Sequence, residues 1–232
     1  GTHTHGGAGA VSEQKIWELI ALDCLDSTTY QTMLNKIRKV MLQAASNMAV
    51  AKIGFGSTLE KRVSKNRMDS PGKFDPELGL IKVENASTGK PIAAALNFAV
   101  HGTCLGASNM KFSADLMGAV EKTVETKLGG GVALFLNGAE GDVAPIKGGD
   151  AGIKFIGETL GATTSTLWTK TTTKSWLEIK GDFADEKMPK PTFNGCLPLF
   201  GTGASSINLC DIIPLAKNLP LDAFMQKVLP FV

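Results

Sequence analysis

The sequence predicts an α/β fold, a layered domain with a mixed β-sheet flanked by helices. Three observations lead there. Apolar runs of strand length recur at 51–57, 78–84, 91–100 and 132–136. Longer segments at 31–50, 113–128 and 151–169 read as helices. Turn formers punctuate the joints, as in Asn85-Ala86-Ser87-Thr88-Gly89-Lys90 and Gly129-Gly130-Gly131. Strands alternating with helices bury their apolar faces best as layers around one mixed sheet. No internal repeat is present.

Taken in order, residues 11–22 and 31–50 are expected to be helices. In the second, Met33, Leu34, Ile37, Val40, Met41, Ala44, Ala45 and Met48 recur at three- and four-residue steps, which gives one apolar face. A strand from Ala51 to Ser57 follows, then a polar, turn-rich stretch from Lys61 to Pro76. Leu78 to Glu84 and Pro91 to Val100 read as paired strands of a hairpin. Ser113 is the expected N-cap of a helix that has Asp115 in its first turn and runs to about Leu128. Val132 to Leu136 reads as a buried strand, 151–169 as a helix, and Lys174 to Phe183 as a further strand. Residues 184–211 carry Gly, Pro, Ser and Asn with little periodicity and read as a long loop or flap. The chain opens inside a motif and ends on the apolar run Val228-Leu229-Pro230-Phe231-Val232, so it reads as part of one domain, cut at both ends.

Composition removes several classes of function. The 232 residues are 43% apolar and 20% charged, ordinary for a globular protein with a sizeable core. A net charge of +2, with its basic residues scattered, argues against a nucleic-acid partner. No apolar stretch reaches the length of a membrane span. The glycine-rich pieces Gly6-Gly7-Ala8-Gly9 and Gly201-Thr202-Gly203-Ala204 lack the spacing of nucleotide loops. Cys24, Cys104, Cys196 and Cys210 show no zinc-like spacing. Cys104, three residues after His101, is either a thiol nucleophile or a small packed residue; a Cys196–Cys210 disulfide stays open in an oxidising compartment.

All three histidines stand in short motifs of metal-site character. His3 and His5 lie in Gly1-Thr2-His3-Thr4-His5, where alternate residues of an extended segment face one side. His101 closes the apolar run 93–100 and is followed at once by Gly102-Thr103. Strand ends that open into glycine loops are where catalytic groups emerge, and imidazole is the commonest neutral ligand for zinc. Alone, His101 could be a core residue satisfied by a backbone carbonyl. Two such motifs, with no histidine elsewhere, favour a shared site. After the strand 132–136 comes Asn137-Gly138-Ala139-Glu140-Gly141-Asp142-Val143-Ala144-Pro145, which puts two carboxylates within three residues of a glycine-rich turn.

Four pieces in order carry a resemblance. Gly1-Thr2-His3-Thr4-His5, Asn66-Arg67, Asn97-Phe98-Ala99-Val100-His101-Gly102-Thr103 and Gly138-Ala139-Glu140-Gly141-Asp142-Val143-Ala144-Pro145 resemble the neutral/alkaline (non-lysosomal) ceramidase family. Asn109, Ser113-Ala114-Asp115 and Gly118 also look like that family. The resemblance covers roughly residues 1–150, and no distinctive family motif follows.

What the resemblance implies is a ceramidase-like catalytic domain, of which residues 1–232 are one part. Its chemistry would be zinc-dependent hydrolysis of the N-acyl bond of ceramide to sphingosine and a fatty acid. His3 and His101 match the zinc-binding histidines. His5 matches a second histidine near the metal, Arg67 matches an arginine needed for activity, and Asp142 joins them as the third expected catalytic residue. The family's other zinc ligands, a glutamate and a tyrosine, lie further along; no Pro-Gly-Glu segment matches here, and Tyr30 is in the wrong place. By itself the chain is therefore expected to be inactive. The implied partners are a ceramide-like lipid amide and a membrane surface, and the implied location is secreted or membrane-facing.

One departure bears on mechanism. The family carries a serine after Gly-Asp-Val, where this chain has Ala144. A methyl group neither attacks a carbonyl nor donates a hydrogen bond, so a serine-based route is closed, whereas zinc-bound hydroxide needs no serine. Two alternatives follow: a catalytically degenerate lipid-binding relative, or a zinc hydrolase of another amide or ester.

Overall fold

The computed structural model of the chain describes residues 2–13, 24–68, 72–178 and 180, with the backbone of 198–200 and 207–208. Two compact units divide the chain: residues 1–8 with 37–179, and residues 9–36 with 180–232.

At the centre of the first unit is a four-stranded sheet. β1 (Ala51–Leu59) pairs antiparallel with β3 (Glu77–Asn85), and β3 pairs antiparallel with β4 (Pro91–Phe98). β4 pairs parallel with β5 (Val132–Asn137), which makes the order β1-β3-β4-β5 and the sheet mixed, as expected. A separate ribbon joins β2 (Ser64–Asn66) antiparallel to β6 (Val143–Pro145). Two helices lie wholly in this unit, α2 (Asp115–Leu128) and α3 (Gly149–Lys170). Because β4 and β5 run parallel, the loops after both open at one edge of the sheet, the arrangement that gathers ligand sites in α/β proteins.

Strand alternation decides which face is covered. Leu78 and Leu80 on β3, Ala94, Leu96 and Phe98 on β4, and Ala133 and Phe135 on β5 are buried in a core shared with Leu116, Val120 and Val124 of α2 and Ile156 and Leu160 of α3. Cβ atoms added at Gly157 and Gly161 would lie 2.7 Å from Ala119 and 2.6 Å from Thr123, so these glycines let α3 cross close against α2. The opposite face is open among the described residues. Phe55, Ile81, Ala95 and Leu134 stand in register across it, with Phe55 61% and Leu134 48% exposed.

Carboxylates from α2 finish the free edge of the sheet. Glu121 Oε1 accepts from the Phe135 N–H at 2.9 Å and Glu125 Oε1 from the Ala133 N–H at 3.0 Å. Both N–H groups would otherwise face away from β4 unpaired. Burial, more than the nearby charge of Glu125, pushes the Glu121 carboxyl above its usual range.

Several expectations are corrected. α1 spans Ser27–Ser46 rather than 31–50, because Asp26 Oδ1 caps the Thr29 N–H at 2.6 Å and starts the helix early. Its apolar stripe exists, but no residue of α1 is buried; helical spacing makes a face without providing a partner for it. Val132–Leu136 is half-buried: it is an edge strand with alternate residues on the open face. The polar stretch 61–76 contains β2, whose three residues show no strand pattern without their partner β6. In the strand expected at 174–183, Lys174 forms a bridge to Ile53; residues 175–178 form no strand, and 179 and 181–183 lie outside the described residues. The helix expected at 11–22 lies mostly outside them too. Within 184–211, β7 (Pro198–Phe200) and β8 (Ile207–Asn208) pair as a short antiparallel ribbon. Cys196 and Cys210 are outside the described residues.

Candidate active site

Three chain segments meet at the edge where β4 and β5 end. The first is the N-terminal segment. Thr4 forms a parallel bridge with Gly102, and the His5 N–H reaches the Gly102 carbonyl at 3.3 Å. A Cβ at Gly102 would meet the His3 carbonyl oxygen, the Thr4 Cα and the Met117 Sδ, all at 3.1 Å, so glycine permits this close approach. Thr4 Oγ1 donates to the Ser113 carbonyl at 2.7 Å, and the Ser113 N–H donates to the Gly6 carbonyl at 2.9 Å. The segment is thereby sewn both to the loop after β4 and to the loop before α2.

The expected way of aligning His3 with His5 is not the one used. His3 has φ of 51°, in the left-handed region, so the segment is kinked rather than extended. The two side chains converge all the same. His5 Nε2 lies 3.3 Å from His3 Nε2, and His3 Nε2 lies 3.1 Å from His101 Nε2. The rings meet edge to face, with centroids 4.7 Å apart for His3–His101 and 5.6 Å for His5–His101. One ring nitrogen from each of the three lies within 4.8 Å of the other two, a cluster that could hold a metal ion. His101 is only 7% exposed, whereas the His3 side chain is 53% exposed.

The second and third segments lock together through a row of carbonyls. Four consecutive residues, 140–143, present their carbonyls in turn to His101 and Arg67. His101 Nδ1 contacts the Glu140 carbonyl at 2.8 Å, and the His101 N–H donates to the Val143 carbonyl at 3.0 Å. Between them, the Arg67 guanidinium donates to the Gly141 carbonyl through Nε at 3.1 Å and Nη2 at 2.7 Å. The Arg67 N–H takes the Asp142 carbonyl at 2.8 Å. The Asp142 carboxylate accepts from Asn66 Nδ2 at 2.9 Å and is exposed. Thus His3, His5 and His101 form one cluster, and Arg67 and Asp142 a second group joined to it by this loop.

A carbonyl oxygen only accepts, so His101 Nδ1 carries the hydrogen, and in the neutral ring Nε2 holds the lone pair. Glu140 also directs its carboxylate at the cluster: Oε1 lies 3.9 Å from His3 Nδ1. Burial first, then the neighbouring His3 and His101, lowers the pKa of His5, against smaller opposing effects of Asp115 and Glu140. These effects together disfavour the charged imidazole of His5.

The buried Asp115 carboxylate accepts the N–H groups of Cys104 at 3.1 Å, Leu105 at 2.9 Å and Leu116 at 2.6 Å. It fixes the loop after His101 to the start of α2. Ser113 is not the N-cap, which is Ala114, but its Oγ accepts the Asp115 N–H at 3.0 Å. Cys104 is packed beneath this loop, and burial, followed by the Asp115 charge, pushes its thiol up to about 12. Both effects disfavour a thiolate, so Cys104 reads as a packed residue. Ala144 lies in β6 opposite Lys65.

Residues 1–173 match the family Neutral/alkaline non-lysosomal ceramidase, N-terminal. No curated protein matches the chain in sequence. Among solved structures, the neutral ceramidase from Pseudomonas aeruginosa superposes with a TM-score of 0.61 at 21% identity, covering 73% of this chain and 30% of that one. A structure described as "Ceramidase complexed with C2" superposes with a TM-score of 0.62 at 21% identity, covering 73% and 29%. The chain thus spans less than a third of the length of these structures, and at this identity the likeness establishes the shared fold.

Proposed function

The chain belongs to the neutral/alkaline non-lysosomal ceramidase family, and from that premise we propose that it supplies the histidine part of a zinc-dependent amidohydrolase site. The substrate would be a ceramide-like N-acyl lipid, cleaved to a sphingosine-type amine and a fatty acid. Such a lipid is met at a membrane surface, in keeping with a secreted or membrane-facing protein.

One observation carries the reading. His101 offers a lone pair at Nε2, since its Nδ1 hydrogen is committed to the Glu140 carbonyl. The Glu140 carboxylate lies 3.9 Å from His3 Nδ1, on the far side of that ring from His101. His3 Nε2 lies 3.1 Å from His101 Nε2, a spacing that a ring N–H fills in the free chain and a shared cation would fill in its place. Tetrahedral zinc at ~2.0–2.1 Å from each nitrogen puts them roughly 3–3.5 Å apart, so the donor set fits.

His3 and His101 would hold the ion, with His5 beside it. Bound zinc supplies a water of pKa about 7 and polarises the scissile carbonyl. His5, beside the cluster, would accept a proton during attack and return it to the leaving amine. Arg67 keeps the 140–143 loop in place through Gly141 and would turn its remaining N–H groups to a substrate oxygen. Asp142 is the exposed carboxylate of the same loop, held by Asn66, and would meet the substrate's polar head. No step assigned to these residues requires a hydroxyl at Ala144.

Ala144 does favour a second reading, a lipid-binding relative without turnover. A fluorescent short-chain ceramide, incubated with the full-length protein with and without chelator, separates the two. Chelator-sensitive release of the fatty acid is expected. Zinc binding with no turnover would move the assignment to the second reading, and turnover of other acyl amides or esters alone would change the substrate.

A further inference from the structure

His3 and His101 are 98 residues apart in the chain, yet one buried residue is bonded toward both of the segments that carry them. Asp115 is 6% exposed and opens α2 with φ of 51°, a conformation that aspartate tolerates better than most side chains. Its carboxylate there serves two elements at once. Oδ1 accepts the N–H of Leu116, in its own helix, at 2.6 Å and that of Cys104 at 3.1 Å, while Oδ2 accepts the N–H of Leu105 at 2.9 Å. Cys104 and Leu105 belong to the loop that follows His101. Toward the other motif, the Asp115 N–H donates to Ser113 Oγ at 3.0 Å. Ser113 then grips the N-terminal segment on either side of His5. Its carbonyl accepts from Thr4 Oγ1 at 2.7 Å, and its N–H donates to the Gly6 carbonyl at 2.9 Å. The direct bond between the two histidine segments, from the His5 N–H to the Gly102 carbonyl, is longer at 3.3 Å. N–H···O bonds of ordinary strength span about 2.7–3.2 Å, so the tighter connection runs through Ser113 and Asp115.

We propose that Asp115 is a positioning residue that sets the spacing of the histidine cluster, holding the loop after His101 with its carboxylate and the His3–His5 segment through Ser113. The chemistry asks for aspartate in particular. Three main-chain donors converge on two oxygens, and a carboxylate offers acceptor sites on both. An amide in its place offers one oxygen and turns an NH2 group toward at least one N–H, leaving a buried donor unpaired. The loop after His101 would then part from the start of α2, and the two histidine motifs would lose their common anchor. The purpose of this spacing rests on the metal-site reading, but the spacing itself is a property of the metal-free chain.

The first test uses the chain without metal. With ring centroids 4.7 Å apart, His3 and His101 should give a nuclear Overhauser effect between their ring protons. In Asp115→Asn that signal should be lost and the amide resonances of Cys104 and Leu105 should move, while those of β3 and β4 stay in place. Asp115→Gly is the second variant. Glycine takes a φ of 51° without strain, so the turn into α2 is kept while the carboxylate is removed, and the ring contact should be lost there too. A ring contact that survives in both variants overturns the proposal. So does a general collapse of the spectrum in both, which would make Asp115 a support of the whole unit and not of the cluster. Co2+ affinity, followed by the visible absorption of the bound ion, is the second measurement. Asp115 touches none of the three imidazoles, so an effect on affinity must pass through their placement. Losing an outer support of this kind typically costs 10–100-fold in metal affinity, and about that loss is expected in each variant. Unchanged Co2+ affinity in both variants also overturns the proposal. If the unsubstituted chain binds no Co2+ while the ring contact responds as expected, the metal-site reading fails and the Asp115 assignment stands.

Discussion

His3 holds a backbone conformation that an L-residue avoids, with φ of 51°, at the position expected to be a metal ligand. Holding a non-glycine residue there costs on the order of 1–2 kcal/mol. The strain is sustained by the Thr4–Gly102 bridge and by the Thr4 and Gly6 bonds to Ser113. A pair of variants separates the ring from the backbone. His3→Ala and His3→Gly should both abolish Co2+ binding, but the glycine variant should be about 1 kcal/mol more stable than the alanine variant in urea melts. Equal stability of the two would mean that the kink is not strained. Ala144 gives a second residue-scale prediction. If hydroxide on the metal performs the attack, Ala144→Ser in the full-length protein should leave ceramide turnover within a few-fold of its starting value. A rise of several hundred-fold would instead show that a serine route was lost.

At the scale of elements, much was legible because it is local. The hairpin β3–β4 could be read from two apolar runs around a turn, and His101 at the end of β4 from a run that stops at Gly102. The cluster of His3, His5 and His101 was legible as two motifs with no competing histidine. What stayed hidden is set by pairing at a distance. β2 and β6 have three residues each, and each becomes a strand only because the other is beside it. Glu140 acts on His101 through a main-chain carbonyl, which no side-chain motif can announce. The alternation of β5 was present in the sequence but concealed, because its outward positions are also apolar. That last point is testable. Phe98→Ala, in the fully buried row, should cost about 3–5 kcal/mol, whereas Leu134→Ala on the open face should cost under about 1 kcal/mol. Comparable losses would mean that the open face is covered in solution.

Ties between elements also set the response to acid. Glu60, just after β1, accepts from the Arg62 N–H at 3.0 Å and from Arg62 Nε at 2.8 Å, and Thr163 Oγ1 of α3 donates to it at 2.7 Å. The Arg62 side-chain bond, against the opposing effect of burial, brings the Glu60 carboxyl from 4.5 down to about 2. The folded value lies below the unfolded one, so the stabilisation is present above 4.5 and is lost as pH falls toward about 2. Glu60→Gln should be less stable than the unsubstituted chain at neutral pH, and the difference should close across that window. Parallel pH profiles of the two would remove Glu60 from the account.

Within the first unit, the histidine cluster joins the core through the loop after β4, the 140–143 loop and the start of α2. Most of the buried residues belong to the sheet and the two helices, so the first unit should stay folded when chelator removes the metal. A ligand that binds only the folded state adds RT ln(1 + [L]/Kd), about 2.7 kcal/mol at a hundredfold excess over Kd. For a domain of this size that is roughly 5–10 °C in Tm. Zinc should therefore raise the Tm of the chain by a saturable amount, and His101→Ala should erase the rise while leaving the chelated Tm nearly unchanged. The midpoint of the rise also tests how complete the cluster is. If family ligands beyond the matched segment are needed, residues 1–232 should bind zinc far more weakly than the full-length protein. Closed structural zinc sites take four protein ligands and catalytic ones three, so affinity should follow the number of ligands supplied. Equal affinity in calorimetry would instead make His3, His5 and His101 sufficient, with all three imidazoles on the ion.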